Sequence, residues 1–350
     1  MEKDNPLITI AIASYNNAPY IERCIDSVLC QLYDKLEIII VDDGSTDNSL
    51  ALCSKYLVDK RVKLLSKNNG GLSSVRQRAL DEATGAFICF IDADDYLLPS
   101  YIENMLEKII EDGSDVCLCS TRFELPDGTL LDDESRSFEC QNSEEPIRTY
   151  VNIMSEVNNE KRRCLKLSDS WNKMYRVSSI IMSNVRFSMP KGLNGSDLLF
   201  NRVLALHDLS YSLISEVGYV HVIYPNSAVR RKNKKLYKTY ENLVDALLNE
   251  SEKLHIADRM KRVISYDYEV YQLNAIEDIY DSSSGFCQCC KLCNSVFQRY
   301  SKYLNKRNLD KICLKDIDGC TVKLFYILYH KARLFLPLYF WLMNKCKRFK

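Results

Sequence analysis

The stretch Phe87-Ile88-Cys89-Phe90-Ile91-Asp92-Ala93-Asp94-Asp95 decides the fold class of this chain of 350 residues. Its first five residues are mostly apolar, which is typical of a strand buried on both faces in a parallel sheet. The apolar run ends in three carboxylates, which repel one another unless a cation lies among them. Mg²⁺ and Mn²⁺ bind oxygen ligands, often one or two carboxylates together with substrate phosphates. The stretch therefore predicts either a metal–diphosphate site or a capped turn, since Asp is also common before helices and Pro99 follows.

The neighbouring sequence alternates between strand and helix patterns. Apolar runs predict strands over residues 7–13, 36–41, 61–65 and 115–120, and helical spacing predicts helices over 21–29, 73–83 and 99–111. A further helix through about Tyr56 is expected to be capped by Ser45 or Thr46, and Gly85 and Gly113 are expected to end two of the helices. Short connections between alternating elements predict an α/β fold with a mostly parallel central sheet and flanking helices.

Polar residues follow three of the predicted strands. They are Ser14-Tyr15-Asn16, Asp42-Asp43 and the acidic cluster at 92–95. In open parallel sheets, ligands bind beyond the carboxyl ends of the strands. No Gly-x-Gly-x-x-Gly follows the first strand, which argues against a dinucleotide dehydrogenase, and no phosphate-binding Gly-x-x-x-x-Gly-Lys-Ser/Thr occurs. A metal held by acidic side chains would therefore replace a glycine-rich cradle for phosphates.

The composition excludes some classes of protein. Lys plus Arg and Asp plus Glu both number 47, so the net charge of zero gives no argument for nucleic acid binding. Fifteen cysteines without an export signal indicate reduced thiols and a cytoplasmic protein. No window has the roughly 20 uninterrupted apolar residues that a membrane-spanning helix needs.

Four motifs carry a resemblance to a known family. They are Ala13-Ser14-Tyr15-Asn16, Val41-Asp42-Asp43-Gly44-Ser45-Thr46-Asp47, Asn69-Gly70-Gly71-Leu72-Ser73-Ser74-Val75-Arg76 and Phe90-Ile91-Asp92-Ala93-Asp94-Asp95. Their order and spacing resemble the family 2 glycosyltransferases, which are inverting enzymes with a GT-A fold and nucleotide-sugar donors. The likeness extends over residues 6–230. It implies a GT-A domain at 1–230 and a helical C-terminal region at 231–350.

The resemblance assigns a nucleotide site to the first two motifs. It places Ser14 and Tyr15 in the donor site, with the Tyr15 ring against the nucleobase. Asp43 would accept a hydrogen bond from the imide N–H of the base, which favours uracil because cytosine lacks that donor. Asp42 beside it has a structural role.

The other two motifs imply the diphosphate and metal site. Arg76 would help to hold the donor, and Asp94 would bind Mg²⁺ or Mn²⁺ directly. Asp92 would touch the ribose or a metal-bound water, while Asp95 belongs to the local structure. A divalent ion suits this chemistry because the departing nucleotide diphosphate gains negative charge as the sugar bond breaks.

An inverting transfer also needs a general base for the acceptor hydroxyl. The family places this base in a Glu-Asp pair after a Trp-Asn-Lys-x-Tyr segment, and residues 171–175 match that segment. Asp197 falls at the base position, whereas Ser196 replaces the Glu, so acceptor orientation or base pKa would differ. The alternative is that Ser196 and Asp197 only cap a helix that runs to about Leu206.

The region after this helix departs from the family pattern. Residues 210–224 suggest strands and 225–227 a turn, but His221 stands near the place of an expected arginine. His221 is then a diphosphate contact, a neighbour of the metal or a core histidine. The basic run at 230–238 is either a solvated face or a segment that closes over the donor.

The last third of the chain has a helical pattern with two unusual stretches. The cysteines within 287–293 suggest a zinc site, although reduced cysteines in a core explain them as well. Residues 324–343 are apolar and aromatic beside cationic residues, and 345–350 are mostly basic. This pattern favours contact with the inner face of the cell membrane, or a terminal helix docked on the catalytic domain.

The expected function is inverting transfer of a sugar from a UDP-sugar to a hydroxyl of a glycan or lipid-linked acceptor, in cell-surface polysaccharide synthesis. One alternative is a nucleotide-sugar-binding protein that has lost transfer, because Ser196 and the missing arginine depart from the family. A second is a nucleotidyltransferase, although the first strand lacks the glycine-rich, lysine-bearing loop that such an enzyme needs.

Overall fold

The computed structural model describes residues 5–132, 147–148, 169–193, 195–207, 209–224 and 236–256. All of these except 236–256 belong to one compact unit, and residues 236–256 belong to a second. Four features predicted from the sequence lie outside the described residues. They are the turn at 225–227, the side chains of the basic run at 230–238, the cysteines at 287–293 and the C-terminal apolar stretch at 324–343.

Ten strands within the described residues form one mixed sheet in the order β3-β2-β1-β4-β9-β6-β10-β5, with β7 paired to β6 and β8 to β10. Their bounds are β1 Ile8–Ser14, β2 Leu36–Asp42, β3 Val62–Ser66, β4 Phe87–Asp92, β5 Tyr96–Leu97, β6 Val116–Glu124, β7 Leu130–Asp132, β8 Ile147–Arg148, β9 Lys173–Arg176 and β10 Ser210–Val222.

Strands β3, β2, β1 and β4 are parallel neighbours, with Ile10 of β1 opposite Ile38 of β2 and Cys89 of β4. Strand β9 runs antiparallel between β4 and β6, and β10 is again parallel to β6. The predicted mostly parallel sheet is confirmed. The strands expected over 210–224 are one long strand, whose register with β6 shifts between Leu213 and Val217 and again before Tyr219.

Most helices within the described residues lie where the sequence predicts them. The unit that holds the sheet contains α1 Ile21–Leu29, α2 Ser49–Ser54, α3 Leu72–Glu82, α4 Tyr101–Glu111, α5 Val177–Ser183 and α6 Ser196–Leu204, and the second unit contains α7 Leu236–Lys253. The sequence did not predict α5. Short 3₁₀ turns follow α2 at Lys55–Val58 and α6 at Ala205–His207. Among the described residues, no helix is both long enough and apolar enough to cross a bilayer.

The central strands are buried because helices cover both faces. Residues Ile10 and Ile12 of β1 pack in one cluster with α1 and α4. On the opposite face, α3 packs on β1 and β2 and also contacts α6. There Phe90 of β4 meets the ring of Phe187, which stacks on Phe200 of α6 at a centroid distance of 3.9 Å. The core thus holds α3 and α6 beside each other on one face of the sheet.

The predicted cap of the second helix is wrong. Helix α2 begins at Ser49, whose N–H donates to the Asp47 carboxylate at 2.9 Å. The Ser45 hydroxyl instead accepts from the Asn16 N–H at 3.0 Å, and the Thr46 N–H donates to Asn16 Oδ1 at 2.8 Å. Asn16 has φ +53°, a left-handed conformation that Asn tolerates better than most residues. The loop after β2 is therefore fastened to the end of β1.

Gly85 marks a close approach between the backbones of β4 and β1. A Cβ there would lie 2.7 Å from both Thr9 N and Thr9 Oγ1, and 2.9 Å from Leu7 O. Since main-chain atoms cannot yield as a flexible side chain does, we expect Gly85→Ala to lower the free energy of unfolding by about 1–3 kcal/mol. Urea denaturation measures this loss. Ala86→Ser at the exposed neighbouring position serves as the control, and equal midpoints for the two variants would contradict the prediction.

Candidate active site

The carboxyl ends of three parallel strands bring the predicted motifs together. Ser14 of β1 lies opposite Asp42 of β2, and Ala13 lies opposite Asp92 of β4. The Asp43 N–H donates to Ser14 O at 2.9 Å, which joins the first two strand ends directly. Ser14 is buried, while the Tyr15 side chain is 48% exposed at this edge. The Tyr15 ring is thus accessible to a planar ligand.

Asp43 is a buried carboxylate surrounded by donors. Its Oδ1 accepts from Lys67 Nζ at 2.6 Å and from the Gly70 N–H at 2.9 Å, and its Oδ2 accepts from the Gly71 N–H at 2.7 Å. Since a carboxylate has about four acceptor positions, one remains for a ligand. Asp42 is structural, because its Oδ2 accepts from the N–H groups of Gly44 and Ser45 at 3.2 and 3.1 Å.

Asp92 and Asp94 concentrate negative charge at the end of β4. Burial, together with the charges of Asp95 and Asp92, raises the pKa of Asp94 to about 7. A nearby cation would stabilise the ionised form of such a carboxylate. In the part of the chain that the structure describes, no three His, Cys, Asp or Glu side chains are grouped closely enough to hold a metal. Asp92 and Asp94 fit an ion that is shared with phosphate oxygens, since Mg²⁺ often uses one or two carboxylates in that way.

Arg76 of α3 connects this acidic cluster to the predicted general base. Its side chain is 2% exposed, and its Nη2 donates to Asp92 Oδ1 at 2.6 Å. Its Nη1 forms an ion pair with Asp197 Oδ1, and Asp197 Oδ2 accepts from the Ser170 N–H at 3.0 Å. One buried guanidinium therefore lies between the carboxylates of Asp92 and Asp197.

Ser196 and Asp197 do not cap helix α6. The helix begins after Gly195, which has φ +89°, and no side chain caps its first turn. The buried Ser196 hydroxyl instead bonds the Ser73 hydroxyl of α3 at 2.8 Å. The alternative of a simple helix cap is thus wrong. The serine that replaces the family's glutamate holds α6 against α3.

Asp95 ties the end of β4 to β10. This fully buried carboxylate accepts from the Tyr219 hydroxyl at 2.6 Å and the Val222 N–H at 2.8 Å, and its Oδ2 lies 3.0 Å from His221 Nδ1. Burial alone would lower the pKa of His221, but the hydrogen bond and charge of Asp95, with the charges of Asp92 and Asp94, raise it to about 9. The His221 ring also stacks on Trp171 at 5.2 Å.

Three residues near the site were not predicted from the sequence. They are Lys67 beside Asp43, Ser73 beside Ser196, and Arg23 of α1. Arg23 Nη2 donates to Asp94 O at 3.2 Å and to the Tyr224 hydroxyl at 3.1 Å. The sequence does contain a pattern that indicates Lys67, because this residue follows β3, the strand that pairs with β2. Since the carboxyl ends of parallel strands meet at one edge, the end of β3 is expected near Asp43. Helix positions such as Arg23 and Ser73 carry no comparable signal.

Comparisons with known proteins agree with this architecture. Residues 9–178 match the model of the Glycosyl transferase family 2. The putative glycosyltransferase EpsH of Bacillus subtilis (strain 168) is 33% identical over 258 residues, which cover 72% of each chain. The crystal structure of S. aureus TarS 1-349 with UDP-GlcNAc has a TM-score of 0.66 at 19% identity and covers 94% of this chain and 87% of its own.

A second solved structure, of the mannosyltransferase PcManGT from Pyrobaculum calidifontis with GDP-Man and Mn²⁺, has a TM-score of 0.50 at 16% identity. It covers 93% of this chain and 86% of its own. At these identities, the two solved structures support the fold alone. The sequence identity with EpsH and the match to the family model show the family to which the chain belongs. The chain therefore belongs to glycosyl transferase family 2 and has the GT-A fold, as its four motifs predicted.

Proposed function

We propose that this glycosyltransferase moves a sugar from a UDP-sugar to a hydroxyl of a glycan or lipid-linked acceptor, with inversion at the anomeric carbon. The observation that carries the proposal is the bridge of Arg76 between Asp92 and Asp197. It links a carboxylate suited to the donor side of the reaction to one suited to the acceptor side. The setting that we propose is cell-surface polysaccharide synthesis, with residues 324–350 in contact with the membrane.

The nucleotide site consists of Ser14, Tyr15 and Asp43. The half-exposed Tyr15 ring offers a surface for the base, and Asp43 keeps one acceptor position for an imide N–H. Uracil has that N–H and cytosine does not, so UDP-sugars are favoured. The UDP-GlcNAc in the TarS structure agrees with this choice of nucleotide.

The diphosphate site consists of Asp94, Asp92 and Arg76. Asp94 and Asp92 would hold Mg²⁺ or Mn²⁺ together with the donor phosphates, and the ion would stabilise the charge on the departing diphosphate. Arg76 is buried and touches Asp92, so we expect it to hold the donor through that carboxylate. His221 adjoins the same cluster through Asp95.

Asp197 acts as the general base in this proposal. It takes the proton of the acceptor hydroxyl while that oxygen forms a bond to the anomeric carbon on the face opposite UDP. The bond between the anomeric carbon and the diphosphate oxygen breaks, and UDP keeps its electron pair. The ion pair with Arg76 and the bond from the Ser170 N–H orient the carboxylate before the acceptor arrives.

UDP release from a panel of UDP-sugars, with Mn²⁺ and with EDTA, tests the proposal. We expect release with at least one donor, its loss with EDTA, and about a 100-fold slower release in Asp94→Asn, because a metal ligand is removed. Asp59→Asn removes a partly buried carboxylate that pairs with Arg61 away from the acidic cluster, and it should behave as the wild type. UDP binding without release from any donor would favour the alternative of a nucleotide-sugar-binding protein.

A further inference from the structure

We propose that Lys67 is a positioning residue that sets the choice of nucleobase, because it holds the Asp43 carboxylate in place. The inference rests on the proposed function, in which Asp43 receives the base. Lys67 belongs to none of the residues assigned above to donor, metal or acceptor. It follows β3, the strand that pairs with β2, and its side chain is 26% exposed.

The ammonium group of Lys67 is fixed rather than freely solvated. It donates to Asp43 Oδ1 at 2.6 Å, to Asn68 O at 2.9 Å and to the Ser74 hydroxyl at 2.9 Å. An ammonium group has three N–H donors, and these contacts use all three. A surface lysine would gain little stability from a single ion pair. This side chain is instead held by three partners, which are Asp43 after β2, Asn68 on the turn after β3 and Ser74 in the first turn of α3.

The turn after β3 leaves space for this ammonium group. A Cβ on Gly70 would lie 2.8 Å from Lys67 Nζ and would also collide with the Ser74 hydroxyl. Gly71 has φ +85°, which side-chain-bearing residues rarely adopt, and its N–H points to Asp43 Oδ2. The two glycines thus allow one lysine and two backbone N–H groups to converge on one carboxylate.

These three donors determine which acceptor position of Asp43 remains for a ligand. Lys67 and the Gly70 N–H occupy Oδ1, and the Gly71 N–H occupies one position of Oδ2. The remaining acceptor position is on Oδ2, so a ligand must offer an N–H there. Uracil and its imide N–H satisfy it, while cytosine would set a ring-nitrogen lone pair against a carboxylate oxygen. Without Lys67, Oδ1 loses its charged partner, and only the N–H groups of Gly70 and Gly71 orient the carboxylate.

The test compares the dissociation constants of UDP and CDP by calorimetry in the presence of Mn²⁺. Lys67→Met keeps a side chain of similar length without the ammonium group. We expect it to weaken UDP binding about tenfold and to reduce the preference for UDP over CDP by a similar factor, because a hydrogen bond to a charged group is lost. Lys63→Met is the control, since Lys63 lies on β3, the strand that Lys67 follows, but pairs with Glu82 and should keep both constants.

The possible results separate this inference from the proposed function. A Lys67→Met variant that weakens UDP and CDP equally, and so keeps the wild-type ratio, would overturn the positioning role. If that variant does not fold, Lys67→Gln replaces it, with the same fall in ratio expected and an unchanged ratio again contradicting the proposal. A wild-type protein that binds neither nucleotide would instead contradict the proposed function.

Discussion

Asp197→Asn is expected to lower kcat for sugar transfer about 10³-fold and to leave the dissociation constant of UDP within about twofold. Asparagine keeps the shape of the side chain but cannot accept the proton of the acceptor hydroxyl. General-base catalysis contributes about 10²–10⁴-fold, and the expected loss falls in this range. Donor binding should survive because the proposed nucleotide contacts, Tyr15 and Asp43, follow β1 and β2, whereas Asp197 lies on α6.

Initial rates of UDP release with acceptor, together with calorimetry of UDP, measure the two effects. Asp81→Asn is a matched control, since Asp81 also pairs with an arginine, Arg186, but on the surface of α3. A thermal melt of each variant shows that the fold is kept. Transfer by Asp197→Asn at more than a tenth of the wild-type rate would mean that another group takes the proton.

Arg76→Met is expected to lower the free energy of unfolding by about 3–5 kcal/mol. The substitution leaves the Asp92 and Asp197 carboxylates without their shared cation in a largely buried site, where an unpaired charge is costly. Arg76→Lys should recover only part of this loss. A lysine presents one compact charge and cannot bond two carboxylates as the two arms of a guanidinium do.

Urea denaturation of both variants measures the loss, with transfer rates as a second measurement. Arg186→Met breaks the exposed pair with Asp81 and should cost under about 1 kcal/mol, as surface ion pairs usually do. If Arg76→Met were as stable as Arg186→Met, the bridge between α3 and α6 would not hold the site together.

The strand ends of the site were predictable because a parallel sheet leaves little freedom. Once β1, β2 and β4 are parallel neighbours, the residues after them must meet at one edge, and Asp43 and Asp92 do so. The cap predicted for α2 was wrong because the meeting of the strand ends gives Ser45 another partner. Ser45 has a good capping side chain, but its hydroxyl serves the bond that joins this loop to Asn16.

Contacts between helices were not predictable from local pattern. The sequence shows that Ser196 replaces a glutamate, yet nothing near it indicates the Ser73 hydroxyl as its partner. The pairing of Arg76 with Asp197 likewise depends on how α6 docks beside α3. That docking follows from the stacking of Phe187 on Phe200 and from other core contacts, which are set by the whole fold.

The long-range bonds around the site also set the order in which the nascent chain completes it. Ser73–Ser196, Tyr219–Asp95 and His221–Asp95 join residues that are 123, 124 and 126 positions apart. At about 5–20 residues per second, a ribosome needs on the order of 10 s to add that length of chain. During this interval the emerging β1–β4 half carries the charges of Arg76 and Asp95 without their later partners. The proposed reaction centre is therefore among the last parts of the sheet-containing unit to assemble during translation.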